Sequence, residues 1–290
     1  MTTYNSNRYK DILLNTFSSF QQFCKKHDLH YIGAYGTMLG AVRHKGIIPW
    51  DDDIDVIMMR SDYNRFLSLA STLKGSNFEI HDYHTNGYYC SFAKYINTNT
   101  TLWEFEDRPY ISGIFIDVFP VDEIANEDDF ALKDQCQRAW QEVYYTTKPF
   151  SFKRLYKSIK HYNWTECKEE LRLGVKRCFY KKYIKDYDQL VKQFSQKQGN
   201  YMTRITTLKN TSHCLYSKSW FTDTIEVPFE NGTITISRDY DAFLKYEFGD
   251  YMTPPPPEAR ISHHFIHFID LEQRYSISEI KRIIKQRNYK

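Results

Sequence analysis

No Cys-x-x-Cys pair occurs among the six cysteines (Cys24, Cys90, Cys136, Cys167, Cys178 and Cys214), and this scatter argues against a disulfide framework or a standard zinc finger. Reduced thiols in a reducing compartment are expected. A zinc site would have to be assembled from His161, Cys167, Cys178 and Cys214, whose spacings match no standard pattern, so packing is the preferred reading. No window approaches the roughly 18 consecutive apolar residues that a membrane span needs. Met1 to Asp11 is polar and has no basic segment leading into an apolar run, so no secretory signal is expected. A cytoplasmic location follows as an expectation, with peripheral contact at the inner face of the membrane as its extension. Internal repeats are absent.

The 290 residues are enough to bury a full core, in one large domain or two modest ones. A hydrophobic fraction of 41% with 26% charged residues is ordinary for a globular protein. Aromatic content is high, with 24 Tyr and 20 Phe, which suits flat or cationic ligands as well as core filling. The formal net charge of +3 hides an uneven distribution. From Lys153 to Lys185 eleven Lys or Arg face three Glu, whereas Asp51 to Asp55 is acidic. A solvated helix face is the plain reading of the basic segment; docking to an anionic polymer or lipid surface is the sharper one.

Arg8 to Lys26 places Tyr9, Ile12, Leu13, Phe17, Phe20, Phe23 and Cys24 at helical spacing, which predicts an amphipathic helix. Leu29 to Tyr35 predicts a short buried strand that runs into a turn at Gly36-Thr37, and Met38 to Val42 continues as a helix start. A glycine turn before a helix presents free backbone N–H groups to a phosphate. Further strands are expected at Phe78–Asp82, Tyr88–Asn97 and Gly113–Phe119, and a helix from Ser61. Beyond a soft boundary near Asn126 the pattern turns mostly helical: Glu127–Tyr145, Phe150–Lys160 and Lys168–Lys197. Residues 1–125 therefore read as a mixed catalytic core and 126–290 as a helical region that completes the site. The later part also holds a hairpin with its turn at Asn231-Gly232, a helix Asp239–Phe248 ended by Gly249, and a capping box at Ser276 and Glu279. Pro254 to Pro257 is a stiff segment leading to Arg260, Ser262, His263 and His264.

The chemistry centres on residues 31 to 60, where a glycine turn and the basic Arg43-His44-Lys45 precede Asp51-Asp-Asp-Ile-Asp55. On a strand Asp53 and Asp55 project to one face while Ile54 and Val56 enter the core, and two such carboxylates can share a hard cation. A calcium loop is a poor match because Val56 stands where the sharp turn needs glycine. A plain solvated charge run would not alternate with Ile54 and Val56. Asp117 lies in the apolar run Gly113-Ile-Phe-Ile-Asp-Val-Phe-Pro120, where an unpaired carboxylate is costly to bury. Its partner is either a neighbouring Lys or Arg or a metal shared with Asp53 and Asp55.

The run from Gly36 to Val56, the segment Gly113 to Asp122 and the closing Tyr246-Glu-Phe-Gly-Asp-Tyr-Met252 with Pro-Pro and Ser-His-His resemble the LicD family over about residues 10 to 265. The resemblance implies an α+β fold with a nucleotidyltransferase-like mixed sheet flanked by helices. It also implies transfer of a phospho-alcohol, best known as phosphocholine, from a CDP-alcohol to a hydroxyl of a surface glycan such as lipopolysaccharide, teichoic acid or capsular polysaccharide. Fukutin-related members use CDP-ribitol, and CDP-glycerol is a further candidate donor. On the superfamily pattern Asp53, Asp55 and Asp117 hold magnesium (Mg2+) or manganese (Mn2+), and Gly36 and Thr37, with Arg43, Lys45 and Lys94, hold the donor phosphates. The candidate bases are Asp117, His44, His263 and His264. A choline ammonium would need an aromatic cage, for which Tyr88, Tyr89, Trp103, Phe105 and Tyr110 are available.

Two other enzyme classes share the carboxylate logic. A metal-dependent glycosyltransferase usually has roughly 100 residues of nucleotide-binding unit before its Asp-x-Asp, and here about fifty precede Asp53. A polymerase needs a path for nucleic acid; only the basic segment offers one, and no nucleic-acid partner is expected. A non-catalytic binding module is the third rival.

Overall fold

The computed structural model describes residues 6–125, 129–205, 214–261 and 265–287. The first helix, α1 (Ser6–Lys26), buries Tyr9, Leu13, Phe17, Phe20, Phe23 and Cys24 on one face and ends on Lys25 and Lys26, which complement the helix dipole. β1 (Ile32–Gly33) leads through Ala34 into α2 (Tyr35–His44). β2 (Asp55–Met59), α3 (Arg60–Ser68), β3 (Phe78–His81), β4 (Ala93–Asn97), β5 (Thr101–Trp103) and β6 (Phe115–Ile124) follow. The chain continues through α4 (Phe130–Thr146), α5 (Phe152–Lys160), α6 (Trp164–Arg177) and α7 (Tyr180–Phe194). It ends with β7 (Tyr201–Thr203), β8 (Tyr216–Ser217), α8 (Ser219–Thr222), the hairpin β9 (Thr224–Phe229) and β10 (Gly232–Ser237), α9 (Tyr240–Phe248), β11 (Phe268–Asp270) and α10 (Ile277–Arg287).

The main sheet runs β1-β2-β6-β4-β3, with β7 on β6 and β8 on β7. Only β2 and β6 are parallel neighbours in it; the other pairings are antiparallel, so the fold is α+β. β6 is the axis of the sheet. Its first half is bracketed by β2 and β4, and its end pairs with β7, which comes from the far side of residue 126. The hydrophobic core is likewise shared: Trp140, Phe194 and Phe243 lie in one cluster with Phe20, Val56 and Val118. A smaller cluster of Trp103, Phe268 and Ile280 forms where β11 pairs with β5 and α10 covers them.

Several boundaries differ from the sequence reading, each for a physical reason. The strand expected to stop before Pro120 runs on to Ile124. Pro120 falls in the gap between Val118, the last residue paired with β4, and Asp122, the first paired with β7, so on that edge its missing N–H deprives no partner. The strand expected over Tyr88–Asn97 begins only at Ala93; Tyr88 is instead pinned in a loop by donating to the Phe92 carbonyl at 2.7 Å. The helix expected over Lys168–Lys197 breaks at Cys178–Phe179, because α6 packs on α5 whereas α7 packs on α4. In the hairpin Gly232 already pairs with Phe229, so the turn is Glu230-Asn231, with Glu230 at φ 52°. The helix ended by Gly249 and the Ser276–Glu279 capping box form as expected.

Candidate active site

The register of the sheet builds the site. Asp55 on β2 sits opposite Asp117 on β6, and Asp117 sits opposite Lys94 on β4, so three charged side chains line up across adjacent strands on one face. Asp53 precedes β2 by two residues and joins them: carboxylate oxygens of Asp53, Asp55 and Asp117 lie within 4.8 Å of one another. Among the described residues this is the one group of three or more metal-ligating side chains so disposed; the set of His161, Cys167, Cys178 and Cys214 does not assemble. Burial, followed by the neighbouring charges of Asp53, Asp117 and Asp51, pushes the Asp55 carboxyl well above the usual carboxylate range, and Lys94 offsets only part of this. Three converging hard oxygen donors whose charges repel one another fit a divalent cation such as magnesium or manganese.

Backbone bonds hold the acids in place. The Asp117 N–H donates to the Ile54 carbonyl at 3.0 Å, and the Ala34 N–H donates to the Asp55 carbonyl at 3.0 Å. The Asp55 N–H donates to Thr37 Oγ1 at 2.8 Å, and the Thr37 N–H donates to the Ala34 carbonyl at 2.9 Å. Thr37 thus ties α2 to β2, with both its hydroxyl and its amide engaged within the chain. At Gly36 a Cβ would lie 2.6 Å from Asp51 Oδ2, so glycine lets the Asp51 carboxylate approach the positive end of α2. Tyr35 opens this helix at φ 45°, a left-handed conformation that a non-glycine residue adopts at a cost of about 1 kcal/mol or more.

The basic candidates divide. Lys94 is 2% exposed and its Nζ lies 3.4 Å from Asp117 Oδ1 and 3.5 Å from Glu104 Oε2, with the Phe115 ring centroid at 3.1 Å. Burial disfavours its charge, but Asp117 and Glu104 outweigh this and hold the ammonium above its ordinary range. Lys94 therefore supports the acid cluster from behind and is committed to carboxylates. Arg43 donates to the Tyr251 carbonyl at 2.6 Å and to His44 Nε2 at 2.9 Å. Its guanidinium and that of Arg260 lie 5.9 Å and 5.2 Å from the centre of the Trp50 ring. His44 Nε2 is thereby occupied, and burial, reinforced by Arg43, lowers its pKa. Lys45 caps the opposite end of α2 at φ 59°, where its carbonyl accepts from the Glu230 N–H at 2.8 Å. It stands roughly 14 Å along the helix from Gly36, at 1.5 Å per residue. His263 and His264 lie outside the described residues.

Among the proposed cage residues, Tyr88, Tyr89 and Tyr110 pack edge-to-face or stacked on one another, and Tyr89 meets Phe105, which stacks on Phe265 at 5.9 Å. Trp103 belongs to the separate cluster with Phe268.

Other groups at the site were not legible beforehand. Glu104 is buried, pairs with Lys94 and accepts from Tyr89 Oη at 2.7 Å. In Leu102-Trp-Glu-Phe-Glu-Asp107 it is one of three acids, so it lacked the isolation within an apolar run that singled out Asp117. Arg204 places its guanidinium 4.8 Å from the Tyr35 ring, and its Nε finds no hydrogen-bond partner among the described residues. Tyr35 Oη is similarly buried without one. Lys133 on α4 is 6% exposed, and burial lowers its pKa, with Arg204 adding to the effect. Nothing local in the sequence distinguishes Lys133 or Arg204 from other cations.

The profile of the nucleotidyltransferase domain described as LicD/FKTN/FKRP matches residues 28–156, which span both β2 and β6. The lipopolysaccharide cholinephosphotransferase LicD of Haemophilus influenzae is 27% identical over 273 residues, covering 87% of this chain and 93% of that protein. Residues 28–156 carry a LicD-family nucleotidyltransferase domain. Shorter matches link the chain to two uncharacterised rickettsial proteins. RT0683 of Rickettsia typhi is 42% identical over 55 residues, 19% of this chain and 18% of that protein. RP689 of Rickettsia prowazekii is 54% identical over 37 residues, 13% of this chain and 14% of that protein.

Proposed function

We propose that this protein transfers phosphocholine from CDP-choline to a hydroxyl of a cell-surface glycan and releases CMP. The observation that carries the reading is the convergence of Asp53, Asp55 and Asp117 across two parallel strands, in a chain similar over most of its length to a lipopolysaccharide cholinephosphotransferase. That relative favours lipopolysaccharide as the acceptor class and CDP-choline over CDP-ribitol or CDP-glycerol as the donor.

In the proposed reaction the acceptor oxygen attacks the choline-bearing phosphorus. The bond from that phosphorus to the bridging oxygen breaks, and CMP departs with the electron pair. Asp53, Asp55 and Asp117 would hold the magnesium or manganese ion, which supplies neutralisation of the diphosphate charge when bound. Lys94, fixed by Glu104, sets its ammonium against Asp117 and orients that carboxylate. Arg204, a cation with no carboxylate ion pair among the described residues, borders the start of α2 and fits the donor's diphosphate, with the buried Lys133 as a further cation near Arg204. Arg43 with Arg260 forms a second cationic rim beside Trp50. The acceptor's proton passes to a carboxylate of the cluster or to His263 or His264; His44, its Nε2 engaged by Arg43, is the weaker candidate. The aromatic wall of Tyr89, Phe105 and Phe265 is suited to the choline ammonium. In this reading residues 1–125 carry the reacting centre and residues 126–290 complete the donor and acceptor sides. Six free cysteines favour action in the reducing cytoplasm.

The test is incubation with CDP-choline, CDP-ribitol, CDP-glycerol and a UDP-sugar in turn, with magnesium and a lipopolysaccharide acceptor. The expected result is CMP release and choline incorporation with CDP-choline alone. UDP release from the UDP-sugar, or no turnover of any CDP compound, would overturn the proposal.

A further inference from the structure

The segment with the strongest positive charge also carries the most exposed aromatic surface. On α5, Phe152, Tyr156 and Ile159 follow one another at i, i+4 and i+7, and they are 80%, 68% and 47% exposed. Lys153, Lys157 and Lys160 repeat the same spacing one position later, so a lysine stripe runs alongside the apolar one. The opposite side of the helix is engaged: Ser158 is buried, donating to the Arg154 carbonyl and to Glu166, and Arg154 pairs with Glu170 of α6 at 3.1 Å. The turn into α6 adds Tyr162 at 79% exposure and Trp164 at 60%. Leu171 and Val175 continue the exposed apolar surface along α6.

A solvated basic face does not account for this surface, because its cations alternate with large side chains that water disfavours. Lys153, Lys157, Lys160, Lys168 and Arg172 make no ion pair with a described residue, unlike Arg154 and Lys176, which do. A second copy of the chain would bring two lysine stripes together. A soluble polyanion would match the lysines but leave Ile159, Leu171 and Val175 in water. A bilayer with anionic headgroups satisfies both components at once: the apolar row enters the headgroup boundary, Tyr162 and Trp164 sit at the interface, and the lysines reach phosphates.

We propose that α5 and the turn into α6 dock this protein on an anionic phospholipid bilayer, lying in the plane of the surface without crossing it. No described helix is long and apolar enough to span a membrane. The docking stands apart from the transferase reading, since it uses none of the acid cluster and its readout is lipid binding.

The experiment is co-sedimentation of the full chain with vesicles of phosphatidylcholine alone or mixed with phosphatidylglycerol. The wild type is expected to bind the mixed vesicles far more strongly, with a blue shift of tryptophan emission that Trp164→Phe reduces. Each cation near such a surface contributes about fivefold in partitioning, so Lys153→Gln/Lys157→Gln/Lys160→Gln together should weaken it about a hundredfold. Phe152→Ser/Tyr156→Ser/Ile159→Ser should abolish the blue shift, with thermal unfolding unchanged as the check that each variant is folded. Equal binding by wild type and both triple variants would overturn the proposal, as would failure of the wild type to bind mixed vesicles. So would a concentration-dependent dimer that the serine variant dissolves, or retention on heparin without vesicle binding.

Discussion

Asp117 has a strand position that places its carboxylate beside Asp55 on one side and Lys94 on the other, so its replacement acts on both the cation site and the charge behind it. Asp117→Asn and Asp55→Asn are each expected to lower CMP release by about a thousandfold, the scale of losing one preorganised charge-stabilising group, with the fold retained by circular dichroism. Chelation should abolish turnover of the wild type and added magnesium should restore it. Unchanged turnover in the asparagine variants would rule out the cluster as the reacting centre. Arg204 makes a different prediction. If its guanidinium meets the donor diphosphate, Arg204→Met should raise the KM for CDP-choline by about ten- to a hundredfold, the worth of a charge-assisted hydrogen bond, and change kcat less. A fall in kcat alone would assign it to the fold around Tyr35 instead.

At the scale of elements, the sheet depends on how α3 is fastened to β6. Arg60, the first residue of α3, donates through Nε and Nη2 to both oxygens of Asp122 at 2.8 Å and 2.7 Å, and the Asp122 side chain is fully buried. The ion pair sits where β6 changes partner from β4 to β7. Arg60→Met leaves a buried carboxylate without its partner and should cost about 3–5 kcal/mol of stability in urea unfolding. Arg60→Met/Asp122→Leu should recover much of that loss, because removing both charges removes the desolvation cost together with the attraction. A double variant no more stable than the single one would show that Asp122 has a further duty.

At the scale of the whole molecule, the early strands and the later helices are held together partly by ionic contacts that titrate. His84, in the loop after β3, is flanked by Asp82 at 2.9 Å and by Asp188 of α7 at 3.2 Å, with the Tyr83 ring against it. Hydrogen bonds to Asp188 and then to Asp82 raise its pKa to about 10. A folded-state pKa above the unfolded value means that the contribution is complete below the ordinary histidine pKa, about 6.5, and is lost as pH rises toward 10. The stability difference between wild type and His84→Gln should therefore be largest near pH 6 and shrink toward pH 10 in matched urea titrations. A difference that stays constant over this range would remove the charge from the account.

The sequence by itself determined what short-range pattern can encode: α1 from its 3.6-residue stripe, α9 from the stop at Gly249, the Ser276 cap, and the acid-bearing strands from carboxylates set among apolar residues. It also singled out Asp53 and Asp55 by their alternation with Ile54 and Val56, and Asp117 because burying a lone carboxylate demands a partner whatever the fold. Only the tertiary structure decided which partner. The register of β2, β6 and β4 set Asp117 between Asp55 and Lys94, and packing brought Asp53 beside the two acids and Glu104 behind Lys94. It also brought Arg204 from beyond the helical region to Tyr35, and paired α5 with α6 so that Phe152, Tyr156, Tyr162 and Trp164 face outward. The division follows from range. Local periodicity fixes the face on which a residue lies, but the neighbour it meets depends on strand pairings and helix contacts between segments tens of residues apart, for which no local rule exists.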